Sequence, residues 1–135
     1  MKQFGKGGCL CGEVTWAYEG SHEWSCYCHC KSCRANTASP VTAFFGVRTD
    51  RFRWTGKRPA VYRSSEGVRR SFCATCGTPM AFEADRYPGE IHLYAVAHED
   101  HARVAPRLHV HTDEQLDWFE ISDEMPRHGG FANGD

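Results

Sequence analysis

Residues 26–33 read Cys26-Tyr27-Cys28-His29-Cys30-Lys31-Ser32-Cys33, four thiols and an imidazole within one short stretch. Cys28, Cys30 and Cys33 have the C-x-C-x-x-C spacing that lets a single turn offer three thiolates to one metal ion. Two more pairs flank this cluster, Cys9-Leu10-Cys11-Gly12 near the start and Cys73-Ala74-Thr75-Cys76-Gly77 far downstream. A glycine directly after the second cysteine lets the backbone bend tightly and bring its amides toward the thiolates, a recurrent zinc-binding turn.

Together Cys9, Cys11, Cys73 and Cys76 fill a tetrahedral shell. Four thiolates on a dication leave a net charge of 2 − 4 = −2 and no open position, so this site is structural and contributes on the order of 10 kcal/mol or more to folding. Four buried apolar thiols are the plainer alternative.

The inner cluster has no second pair to complete its shell. Three protein ligands and one open position is how catalytic zinc is held, which makes Cys28, Cys30 and Cys33 the candidate catalytic residues. Three thiolates leave 2 − 3 = −1, a weak Lewis acid with soft ligands, better suited to receiving a thiolate than to generating hydroxide. Cys26 stays open at this level between a structural thiol, a fourth ligand and a redox partner. His29 lies between two ligands and points away from the metal if the chain is extended there, which suggests a role behind the ligands or at the surface. His109 and His111 would share one strand face at H-x-H spacing and read as structural.

The elements that must position these groups are short strands. Period-2 alternation groups Val14, Trp16 and Tyr18 on one face, Phe52 and Trp54 on another, Val68 and Phe72 on a third, and Ile91, Leu93 and Ala95 on a fourth. Turn formers at Glu19-Gly20-Ser21, Thr55-Gly56-Lys57 and Pro88-Gly89 separate them at antiparallel intervals. The pattern predicts an all-β domain of mainly antiparallel strands, stabilised by zinc, with at most one or two short helices. One helical signal stands at Thr112-Asp113-Glu114-Gln115-Leu116. A single domain is expected over 1–126, followed by a flexible tail over 127–135 that is glycine-rich and carries little apolar surface.

At 135 residues the chain suits one core. Its 16 Lys and Arg nearly cancel 17 Asp and Glu, which argues against an electrostatically driven nucleic-acid binder. No apolar run approaches the ~20 residues of a membrane span, and no signal peptide is legible at Met1–Gly8. A cytoplasmic protein is expected, in which clustered cysteines hold metal more often than they form disulfides.

As a set, Gly8-Cys9-Leu10-Cys11-Gly12 with Val14, Cys28-His29-Cys30-Lys31-Ser32-Cys33-Arg34, and Phe72-Cys73-Ala74-Thr75-Cys76-Gly77-Thr78-Pro79 resemble the glutathione-dependent formaldehyde-activating enzymes, also called the GFA or centromere protein V domain family. The stretch from His109 through Trp118 to Pro126 is similar as well. The resemblance implies a β-tent fold and two zinc ions per chain, a structural one on Cys9, Cys11, Cys73 and Cys76 and a catalytic one on Cys28, Cys30 and Cys33. It further implies condensation of formaldehyde with glutathione to S-hydroxymethylglutathione, formally a carbon–sulfur lyase reaction run in reverse.

An anionic tripeptide needs cationic donors near the zinc, and guanidinium suits carboxylates. Arg34, directly after the inner cluster, and Arg70, shortly before the outer pair, are the candidate substrate contacts, with Arg69 beside them. The expected partner is a small-molecule thiol such as glutathione, with neither nucleic acid nor membrane. The alternative is a zinc-stabilised interaction module in which both metals are structural.

Overall fold

The computed structural model describes residues 4–132. Ten strands run β1 (Phe4–Gly8), β2 (Thr15–Glu19), β3 (Trp24–Cys28), β4 (Thr42–Arg48), β5 (Phe52–Trp54), β6 (Ala60–Ser65), β7 (Val68–Phe72), β8 (Pro79–Ala84), β9 (Glu90–Tyr94) and β10 (His109–Val110), with one α-helix, α1 (Lys31–Thr37), between β3 and β4. They form a three-stranded sheet, β1-β2-β5, and a seven-stranded sheet ordered β10-β3-β4-β9-β8-β7-β6. Every pairing is antiparallel except the short parallel contact of β10 with β3. The all-β expectation holds. Among the described residues no helix is long and apolar enough to cross a membrane.

The large sheet is used on both faces, which is why its middle strands read as nearly continuous apolar runs such as Thr42-Ala43-Phe44-Phe45-Gly46-Val47. One face carries Phe45, Val47, Ile91 and Leu93, and packs with Trp16 and Tyr18 of β2 in the main core. The opposite face carries Cys26, Cys28, Phe44 and Tyr94, which form a second apolar cluster with Cys33. Strand alternation thus sends each residue of Phe44-Phe45 to a different core.

Glycines seat the large rings. Gly5 and Gly7 lie opposite Tyr18 and Trp16 across β1 and β2, and Gly46 lies opposite Trp24 across β4 and β3. A methyl group on Gly46 would come within 2.4 Å of the Trp24 indole, so the ring occupies the space that any side chain would need.

Two expectations need correction. The helix signal at Thr112 gives only a 3-10 turn, Thr112–Glu114, while the α-helix begins at Lys31, where Cys30 replaces an ordinary cap by accepting the Cys33 amide at 3.3 Å. His109 and His111 do not share a strand face, because His111 has the left-handed φ of 57° and ends β10. Within the stretch expected as a tail, His128 N donates to His109 O and Gly130 O accepts from His111 N. The last residues of that tail, 133–135, lie outside the described residues.

His98 anchors the main core and makes it sensitive to acid. The Asp100 amide donates to His98 Nδ1 at 2.9 Å, so Nε2–H donates to the Tyr18 hydroxyl at 2.8 Å and the ring is neutral. Burial pushes its pKa below the ordinary 6.5. As pH falls from that value the unfolded chain takes up the proton first, so stability is present above about 6.5 and declines through the folded value below it. Thermal melts at fixed zinc between pH 7 and pH 5 are expected to show a falling midpoint, on the order of a few degrees, and a shallower pH slope in His98→Gln.

Candidate metal centres

Two groups of cysteine sulfurs converge, Cys9, Cys11, Cys73 and Cys76 in one and Cys28, Cys30 and Cys33 in the other, with the Sγ atoms of each group within 4.8 Å of one another. No cysteine is in a disulfide. In the first group Cys9 Sγ lies 3.6 Å from Cys11 Sγ, and Cys11 Sγ lies 3.7 Å from Cys73 Sγ. Four sulfurs at about 2.3 Å from one zinc ion stand about 3.8 Å apart, so this spacing fits a tetrahedral shell.

Both glycine turns behave as their sequence suggests. Gly12 and Gly77 have φ of 83° and 80°, a conformation that closes each knuckle and that residues with a Cβ rarely adopt. Amides then aim at sulfur, Val14 N at Cys9 Sγ (3.3 Å) and Cys76 N at Cys73 Sγ (3.5 Å). The Thr78 hydroxyl, 3.1 Å from Cys76 Sγ, leads the interactions that hold the Cys76 thiol down to about 5.

The inner group spans a strand end and a helix start. Cys28 closes β3, Cys30 caps α1 and Cys33 sits in its first turn. The sulfurs of Cys28 and Cys33 hold the Cys30 thiol far below the ordinary range, and those of Cys30 and Cys33 push Cys28 far above it. Three adjacent thiols therefore cannot all ionise without a cation among them, and a soft dication answers that need.

Cys26 faces the same side of β3 but stands outside the three-sulfur group. Burial pushes its thiol up to about 12, so it remains protonated beside the thiolates.

His29 is fully buried behind the inner turn. Asp123 accepts from His109 Nε2 at 2.9 Å, which leaves His109 Nδ1 to accept from His29 Nε2 at 2.9 Å. The two rings stack at 5.1 Å, and the His29 amide donates to Val110 O. This column joins the closing stretch of the chain to the ligand-bearing turn. Its members are separated by 80 and 14 residues, and only the tertiary fold pairs them.

Arg34 donates through Nε to His29 O (3.1 Å) and through Nη2 to Glu114 O (3.0 Å), which braces the turn from outside. Arg34, expected as a substrate contact, is not among the residues that line the adjoining cavity. Arg69 pairs with Asp85 at 3.0 Å. Arg70, by contrast, is buried on the cavity side, with Nη1 3.7 Å from Cys33 Sγ, Nε 3.2 Å from Ser64 Oγ and the guanidinium 5.0 Å from the Phe82 ring centre.

The cavity has a volume of about 580 Å³ and is lined by alternate residues of consecutive strands, Trp24, Cys26 and Cys28 on β3, Phe44 on β4 and His92 on β9. Phe82 and Arg70 continue the wall, and Phe131 closes it with Arg86 stacked 3.7 Å over its ring. Trp24 Nε1 and His92 Nε2 both donate to Glu90 Oε1, at 2.9 and 3.2 Å, so that carboxylate is engaged within the wall. His92, Arg86 and Ser64 went unread in the sequence, although strand parity around Glu90-Ile91-His92 was the signal that could have found His92.

Metal analysis after zinc loading is expected to give two zinc ions per chain, still two in Cys26→Ser, and one in Cys30→Ser. A fall to one in Cys26→Ser would make Cys26 a ligand.

Comparison with known proteins agrees with this geometry. No curated protein matches the chain. A crystal structure of a Rhodobacter sphaeroides protein is 17% identical over 91% of this chain and 98% of that one, with a TM-score of 0.56, which shows a shared fold. The family profile described as glutathione-dependent formaldehyde-activating enzyme (GFA) matches residues 5–114, a span that holds both cysteine groups and most of the cavity wall. The chain belongs to the glutathione-dependent formaldehyde-activating enzyme family.

Proposed function

We propose that the protein is a zinc-dependent carbon–sulfur lyase-type enzyme acting on the adduct of a thiol and a small aldehyde, S-hydroxymethylglutathione formed from glutathione and formaldehyde being the reaction its family name suggests. The observation that carries this reading is that the three-sulfur group, and not the four-sulfur group, opens onto the cavity. Cys9, Cys11, Cys73 and Cys76 take the structural role, and Cys28, Cys30 and Cys33 the catalytic one. A zinc ion held by the three inner thiolates would supply an open coordination position that keeps a thiol in its thiolate form.

The chain's own residues do the rest. The braced turn of Cys28, Cys30 and Cys33 fixes where the incoming sulfur sits. The apolar wall of Phe44, Phe82, Leu108 and Val110 excludes water from the carbonyl partner and holds it beside the sulfur, so proximity supplies much of the rate. The thiol sulfur bonds to the carbonyl carbon, the carbonyl electron pair moves to oxygen, and that oxygen takes up a proton, giving RSH + CH₂O ⇌ RSCH₂OH. Arg86 on the cavity wall is the cation that meets the carboxylates of an anionic substrate, while Arg70 stands against the cysteine turn. Reduced thiols suit a cytoplasmic setting.

Exchange-sensitive NMR of glutathione and formaldehyde with zinc-loaded protein is expected to show accelerated adduct exchange, lost in Cys30→Ser while the outer metal and the fold remain. Exchange at the uncatalysed rate with the intact protein would retire the formaldehyde–glutathione activity.

A further inference from the structure

Arg70 is a cation with only 6% of its surface exposed, and among the described residues no carboxylate pairs with it. A buried charge without a partner is costly, so its counter-charge must come from elsewhere. The nearest source is the cysteine turn, since Nη1 lies 3.7 Å from Cys33 Sγ. Three thiolates and a dication leave 2 − 3 = −1, which one guanidinium neutralises.

The guanidinium is also aimed. Ser64 holds Nε, Cys33 holds Nη1 and the Phe82 ring supports its face, so the fork cannot swing toward solvent. With the Tyr94 hydroxyl these bonds engage three of the five N–H groups that a guanidinium carries, and Arg70 lines the cavity, so two donors remain for a ligand there. Being that close to a cluster sulfur, they reach atoms two or three bonds from a sulfur seated at the cluster. They do not reach the distant carboxylates of a tripeptide.

We propose that Arg70 and the three-cysteine turn form one site for thiols that carry an oxygen two or three bonds from sulfur, and that Arg70 donates to the oxygen that gains charge when the carbon–sulfur bond forms. The proposal rests on the reading of the inner turn as an open metal site. The thiolate sulfur gives its electron pair to the carbonyl carbon, the carbonyl pair passes to oxygen, and Arg70 N–H stabilises that oxygen until solvent protonates it. A donor placed for the charged oxygen acts on the transition state more than on the bound thiol.

Mercaptoacetate and ethanethiol serve as probes, titrated calorimetrically into zinc-loaded protein. Mercaptoacetate is expected to bind roughly tenfold or more tightly, the size of a charge-assisted hydrogen bond. In Arg70→Met that preference should fall to near unity, with ethanethiol affinity unchanged. Persistence of the preference in Arg70→Met would mean that mercaptoacetate chelates the metal by itself, and would overturn the assignment. Should Arg70→Met fail to retain two zinc ions, Arg70→Gln, which can still bond Ser64, repeats the comparison with the same two outcomes. Failure of either thiol to bind the intact protein would overturn the open-site reading and this proposal together. Thiol binding as expected without formaldehyde exchange would retire the named reaction and leave the Arg70 site standing. Where exchange is catalysed, kcat is expected to fall about 10²-fold in Arg70→Met with little change in KM for the thiol; a change confined to KM would contradict the oxyanion role.

Discussion

Thiolates repel one another, and this chain gathers seven of them into two small volumes. Without a cation each group must hold protons, as the opposed displacements of Cys28 and Cys30 show. With a dication the same sulfurs become the strongest ties in the molecule, since ligand binding and folding are then one free energy. The outer group joins the loop after β1 to the loop after β7. The inner group fixes the end of β3 to the start of α1.

What separates the surroundings of the two groups is where the large sheet places them. Its two faces serve different purposes, one packed against the small sheet and the other lining a cavity. Because strand side chains alternate, a single run such as Trp24-Ser25-Cys26-Tyr27-Cys28 sends Trp24, Cys26 and Cys28 to the cavity, while Tyr27 stacks on His109 behind it. The cavity inherits one thiol that burial keeps protonated, three thiols that a metal would ionise, and one buried guanidinium. That combination is suited to sulfur chemistry in an apolar setting.

Much of this was legible in the residues. Cysteine spacing alone grouped the sulfurs, because ligands a few residues apart on a glycine turn need no knowledge of the fold. The alternation of Trp16 and Tyr18 marked β2, because both rings bury on one side. The α-helix was missed because its cap is a cysteine, a residue that the ordinary capping preferences do not flag. Thr112 offered an ordinary cap, but the chain after it turns back instead of propagating a helix. Arg34 and Arg70 could not be ranked, since both stand close to cysteines in sequence and only packing turns one toward backbone carbonyls and the other toward the cavity. The Asp123–His109–His29 column was out of reach for the same reason, and so was the docking of Arg127–Gly130, whose bonds are made by backbone groups that composition does not reveal.

The central claim is that one group of sulfurs is closed and the other keeps a coordination position for a guest. Zinc X-ray absorption on the fully loaded protein tests it directly by counting sulfur neighbours. Seven cysteine ligands shared by two ions average 3.5 sulfurs per zinc, and saturation with a thiol should raise the average to about 4 as the guest takes the remaining position. An average of 4 before any thiol is added, unchanged afterwards, would show that a protein sulfur already fills that position and would contradict the account.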